Sequence, residues 1–236
     1  MLLLALLLHQ VTAPNQNNRY LKLTCMEGQL RLAYTILFGD LPAEAERRRM
    51  DADGDGRLSD AEAAAYGQAL ARAVEARLSL EVDGRSVPVR FTSPEVGLGS
   101  ERGVHPVPFS VDLVVLIPAP GRQHTVFLDD RFTPPREGET DFVLEEAPGA
   151  RITASFRGRA GEGLHGLKWT WPGPRASDLE DRSVTFRYQT PNAPAARGAR
   201  TWLLVPALAA ALALSILSGL LLWRRATSTA RTDSRS

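Results

Sequence analysis

The sequence predicts an α+β protein: an antiparallel β-sandwich interrupted by one helix-loop-helix and followed by a single C-terminal transmembrane helix. Three observations carry this. Short segments of alternating apolar and polar residues recur between Gly- and Pro-rich turns. A block rich in Ala, Glu and Arg, residues 42–78, replaces that alternation once. Near the C-terminus, Trp202 to Trp223 runs 22 residues without a charge.

Composition narrows the classes. Of 236 residues 44% are hydrophobic, and 28 Lys+Arg face 27 Asp+Glu. That is a folding composition rather than a disordered one, and the balanced charge offers no field for nucleic acid. One cysteine, Cys25, excludes an internal disulfide and a Cys-rich zinc site.

In chain order, Leu2 to Leu8 is too short to span a bilayer and fits the apolar core of a signal peptide over residues 1–13, with Val11-Thr12-Ala13 as the cleavage site. No basic residue precedes it, and Pro14 would follow the cut; a buried N-terminal strand or helix is the alternative. Residues 19–38 alternate about a Glu27-Gly28 turn and predict a hairpin. After the helical block, strands are expected at Leu78 to Val82, Val87 to Phe91, Phe109 to Ile117, His124 to Leu128, Phe142 to Glu145, Ile152 to Phe156 and Val184 to Tyr188. Residues 157–181 read as a long loop. Their spacing predicts a sandwich over residues 14–189.

Residues 190–201 form a tether to the membrane. The stretch 202–223 is long enough, at ~1.5 Å per residue, to cross a hydrocarbon core of ~30 Å, and Trp at each end suits the interfaces. Arg224, Arg225, Arg231 and Arg235 follow it, against Arg197 and Arg200 before it. This excess predicts a cytoplasmic tail, 224–236, and an extracytoplasmic domain, periplasmic or extracellular. A single span builds no transport pathway unless it oligomerises.

The helical block breaks at DADGDGRLSDAE, Asp51 to Glu62. A twelve-residue EF-hand loop needs oxygen ligands at positions 1, 3, 5, 7, 9 and 12 and glycine at 6. Asp51, Asp53 and Asp55 occupy positions 1, 3 and 5, and Gly56 takes the turn. Arg57 offers its carbonyl at 7, Ser59 acts through water at 9, and Glu62 binds with both oxygens at 12. Four crowded carboxylates repel one another unless a hard cation lies among them, and a flexible loop ending in Glu favours Ca²⁺ over Mg²⁺. Leu58, at position 8, points into apolar packing, on the sandwich or on the loop of a second copy. After the loop, Ala63, Tyr66, Leu70 and Val74 form an apolar stripe. A lone loop of this kind implies a Kd of about 10⁻⁴ to 10⁻³ M, tighter if the sandwich stiffens it.

Other motifs carry less. His9, His105, His124 and His165 are scattered and read as surface or turn residues. Asp129-Asp130 reads as a turn or as a weak second calcium contact. Gly158 to Gly166 lacks the ending of a phosphate loop, and Cys25 reads as a strand-end thiol. No catalytic residue is predicted.

The NRYLKL strand, the hairpin, MDADGDGRLSDAEAAAY and LSLEVDGRSVPVRF together resemble an extracytoplasmic region. It is the N-terminal region of bacterial nickel/cobalt-transporter-family and hydrogenase/urease accessory (HupE/UreJ-type) membrane proteins. The similarity covers roughly Asn18 to Phe91, and the EF-hand stretch is its specific part. Those families continue into several spans with metal-handling histidines, whereas one span is predicted here, so transport is not carried over. The resemblance implies an accessory or sensory domain beside a separate multi-span transporter. The leading expectation is a non-enzymatic, membrane-anchored, extracytoplasmic calcium-binding protein. The alternative is an accessory subunit of a nickel/cobalt uptake system in which calcium is only structural; an enzyme built from loop residues is a third.

Overall fold

A computed structural model describes residues 15–161, 163–173 and 182–191. The expected signal peptide, most of the tether, the membrane span and the tail lie outside the described residues. Among the described residues no helix is long and apolar enough to cross a membrane.

The alternation at the start becomes a hairpin. Strand β1, Asn17–Met26, pairs antiparallel with β2, Gln29–Phe38, from Asn17↔Phe38 to Met26↔Gln29. Period two puts Leu21, Leu23 and Cys25 opposite Tyr34, Leu32 and Leu30, and all six are fully buried. Each such leucine removed from water contributes roughly 1.5–3 kcal/mol before chain entropy is charged against it.

Helix α1, Asp40–Met50, and helix α2, Asp60–Glu75, follow. The remaining strands are β3 (Leu78–Val82), β4 (Arg85–Ser86), β5 (Glu95–Gly97), β6 (Phe109–Pro118), β7 (Gln123–Asp130), β8 (Glu137–Glu146), β9 (Arg151–Arg157), β10 (Lys168–Trp171) and β11 (Ser183–Gln189). They form two sheets, ordered β10-β8-β1-β2-β6-β5 and β4-β3-β7-β11-β9. One apolar core draws on both: Leu113, Phe142 and Leu144 from the first, Leu80, Val126, Leu128, Val184 and Phe186 from the second.

Four features differ from the sequence reading. The sandwich is not wholly antiparallel, because β1 pairs in parallel with β8. No hairpin constrains two strands so distant in sequence, and the long intervening chain supplies the crossover a parallel pair needs. The helices do not interrupt one sheet; β2 and β3 lie in different sheets, so the helix pair carries the chain between them. Val87 to Phe91 is not a strand: Pro88 has no amide to give a ladder, although Val89 and Phe91 are buried. Conversely, Glu95–Gly97 and Lys168–Trp171 are edge strands, the second within the expected long loop.

The face that α2 buries is also rotated from the expected stripe. Ala63 and Val74 are buried as expected, but Gly67 and Ala71 are buried beside them while Tyr66 and Leu70 are half-buried. A Cβ on Gly67 would sit 3.1 Å from Val96 Cγ2 and 3.2 Å from Pro94 Cβ. The missing side chain therefore lets α2 lie close against the segment that forms β5.

Candidate metal centre

Helix α1 ends where the acidic loop begins. The Asp51 amide still donates to the Arg47 carbonyl at 3.0 Å, and the next residues leave the helix. Gly54 and Gly56 then take φ of +75° and +80°, a region that disfavours residues with a Cβ. These two glycines fold the loop tightly enough to bring its aspartates together.

Oxygen atoms of Asp51, Asp53 and Asp55 lie within 4.8 Å of one another. Each carboxylate also orders backbone. Asp51 accepts from the amides of Gly54 at 3.0 Å and Gly56 at 3.1 Å, Asp53 from Asp55 at 3.1 Å, and Asp55 from Arg57 at 2.7 Å. Among the described residues no arginine or lysine pairs with any of the three, whereas Glu44, Glu46, Asp60, Glu75, Glu81 and Asp129 each have an arginine partner. The cluster thus concentrates negative charge without an ion-pair partner among the described residues.

Glu62 stands apart from this group. It is the third residue of α2, and its Oε2 accepts from the Ser59 amide at 2.9 Å while Ser59 Oγ accepts from the Glu62 amide at 3.2 Å. This reciprocal box satisfies two donors at the helix start. Glu62 Oε1 reaches back across the loop to the Ala52 amide at 2.7 Å. The Ser59 amide first, then its hydroxyl and the Ala52 amide, hold the Glu62 carboxyl down at about 2. Of the six residues expected to serve the ion, three converge as carboxylates. Ser59 and Glu62 close the loop against its first turn, and Arg57 contributes a backbone bridge to Gly103.

That bridge answers where Leu58 packs. Its side chain is 3% exposed, within the domain's own core, and its amide donates to the Arg102 carbonyl at 2.6 Å. Its partner within the chain is the connection between β5 and β6.

Several buried polar groups escaped the sequence reading. Arg47 is wholly buried; its Nε donates to the Val107 carbonyl at 3.1 Å, and its Nη1 to those of Glu101 at 2.9 Å and Gly103 at 3.1 Å. Its signal lies in the sequence: Ala43, Arg47 and Met50 follow helical spacing on one face, so this arginine sits in an apolar stripe. Arg19, Tyr34, Asp130, Glu137 and Arg182 form a second buried group between the sheets. There Arg19 pairs with Asp130 at 2.7 Å and with Glu137, and Arg182 pairs with Glu137.

Asp130 is therefore an internal ion-pair partner, and Asp129 pairs with Arg131 at 2.8 Å; both end strand β7 instead of forming the expected turn. His124, expected at the surface, is 4% exposed, with Nδ1 2.9 Å from Asp83 Oδ2. Burial, with Glu146 nearby, pushes the Cys25 thiol up to about 12, which leaves it protonated and inert as a nucleophile.

No protein-family model matches the chain, and no curated protein matches its sequence.

Proposed function

We propose that this chain is a membrane-anchored extracytoplasmic calcium-binding protein, an accessory or sensory domain rather than an enzyme, whose one EF-hand loop holds Ca²⁺. The observation that carries the reading is the convergence of Asp51, Asp53 and Asp55 within 4.8 Å, without a cationic partner among the described residues. The donor set fits the ion: every candidate is a hard oxygen, as Ca²⁺ prefers, and no imidazole or thiolate lies in the loop. Glu62, tied to the Ala52 amide, is held against the loop's first turn beside the three aspartates' segment. Membrane anchorage and an extracytoplasmic setting rest on Trp202 to Trp223 and the arginines after it.

Calorimetric titration of Ca²⁺ into the full chain in a mild detergent tests the reading, with Mg²⁺ as control and Glu62→Gln alongside. One site is expected, weakened at least about tenfold in Glu62→Gln, with Mg²⁺ binding far more weakly. Absence of heat and of any thermal shift, in folded and metal-free protein, overturns it.

A further inference from the structure

EF-hand loops commonly stiffen each other by pairing through position 8, yet only one such loop occurs here. The segment between β5 and β6, residues 98–108, takes the place of the missing loop. It meets the acidic loop at three points. Arg57 bridges Gly103 antiparallel, the Leu58 amide donates to the Arg102 carbonyl, and Arg102 Nη1 lies 2.9 Å from Asp60 Oδ1. The last is a surface ion pair and adds little. The backbone contacts are what fix the loop's exit.

What shapes this strap is Arg47. A guanidinium cannot shed its proton in a protein, and burying one demands acceptors. Among the described residues no carboxylate pairs with Arg47. Its acceptors are the carbonyls of Glu101, Gly103 and Val107, and its guanidinium lies over the Phe109 ring, with Cζ 5.5 Å from the ring centre. Three carbonyls spread over seven residues can turn to one point only if the strap keeps this curvature. If the strap opens, a buried cation loses its acceptors together. The same residue's own carbonyl accepts from the Asp51 amide, the first position of the acidic loop. One residue thereby grips the loop's entrance through its backbone and the loop's partner strand through its side chain.

We propose that Arg47 is a positioning residue for the cation: by holding residues 101–107 as the second strand beside Arg57 and Leu58, it sets the loop's affinity, and occupancy of the loop in turn orders the strap. This rests on the calcium reading above. A pre-formed loop spends less of the ion's binding energy on ordering, so a strap locked in place tightens binding, and the linkage is reciprocal.

The test uses the full chain in detergent. Arg47→Gln is expected to raise the calcium Kd about tenfold or more, and Arg47→Lys, which keeps the charge and one or two of the donors, to fall between. Leu80→Ala, a core truncation in the other sheet, controls for general destabilisation and is expected to leave the Kd unchanged. Hydrogen exchange in the unsubstituted chain gives a second readout that survives if Arg47→Gln fails to fold. Calcium is expected to slow exchange across 101–107 as well as within 51–62. An unchanged Kd in folded Arg47→Gln, or protection confined to 51–62, overturns the inference and leaves the calcium reading standing. No calcium binding by the unsubstituted chain overturns the calcium reading first, and the inference with it.

Discussion

The Tyr66 hydroxyl donates to Glu46 Oε2 at 2.9 Å, so the helix leaving the acidic loop is tied to the helix entering it. Glu46 is 6% exposed, and its other oxygen pairs with Arg49 at 2.7 Å. The Tyr66 ring meanwhile packs edge-on against Phe38 and Phe109, which anchors the tie to β2 and β6. Burial first, and then the Glu46 carboxylate, push the Tyr66 phenol well above its ordinary range, so it remains a donor at every pH where the fold survives.

Tyr66→Phe isolates this contact, since it keeps the ring and deletes the hydroxyl. A hydrogen bond to a buried ionised carboxylate is worth about 1.5–3 kcal/mol, and a loss of that size is expected in denaturant unfolding with an unchanged dependence on denaturant. A loss under about 0.5 kcal/mol would mean that water replaces the hydroxyl at Glu46 and that the helices are held by packing alone.

The second buried polar group makes a different demand. Arg19 Nη1 donates to Asp130 while Tyr34 donates to the same carboxylate oxygen at 3.1 Å, and the Phe132 amide donates to the other at 3.0 Å. Strands of both sheets meet here, so the charges also fix how the sheets register. Arg19→Met leaves the buried Asp130 carboxyl without its cation, which costs about 3–5 kcal/mol. Adding Asp130→Asn to that variant is expected to recover part of the loss. A double substitution as unstable as the single one would show that Arg19 acts through Glu137 instead.

How much of this was legible in the sequence divides by the kind of constraint. Period-two alternation revealed β1, β2 and β6, because one buried face forces every second residue to be apolar. The spacing of acidic residues and glycine over twelve positions singled out Asp51, Asp53 and Asp55 together with the turn at Gly56, and left the second turn, at Gly54, unread. Pairing between distant strands leaves no such periodic trace. The parallel β1–β8 contact and the short edge strand Glu95–Gly97 therefore appeared only in three dimensions. Charged residues defeated the reading where they are buried. Arg47 reads as one of three consecutive arginines, and nothing local distinguishes it from Arg48 and Arg49 except its helical spacing to Ala43 and Met50. Glu62 carries a subtler ambiguity. Glutamate three residues after serine satisfies both the twelfth loop position and the helix capping box, and the sequence alone cannot assign its oxygens between the two.

That double role yields the pH prediction. The metal-free Glu62 carboxyl is held at about 2 against an ordinary value of 4.5, chiefly by the Ser59 amide and hydroxyl and then by the Ala52 amide. Because the folded value lies below the unfolded one, the box stabilises the protein fully above about pH 4.5. That contribution fades as pH falls from there through about 2. Carboxyl-carbon NMR titration of the metal-free chain is expected to place the Glu62 midpoint far below those of exposed glutamates. Ser59→Ala removes the hydroxyl but keeps the amide, so the midpoint should climb part of the way back towards 4.5. A midpoint at the ordinary value in the unsubstituted chain would show that both oxygens are free in solution. Glu62 would then be unengaged by the helix start and available to the aspartates from the outset.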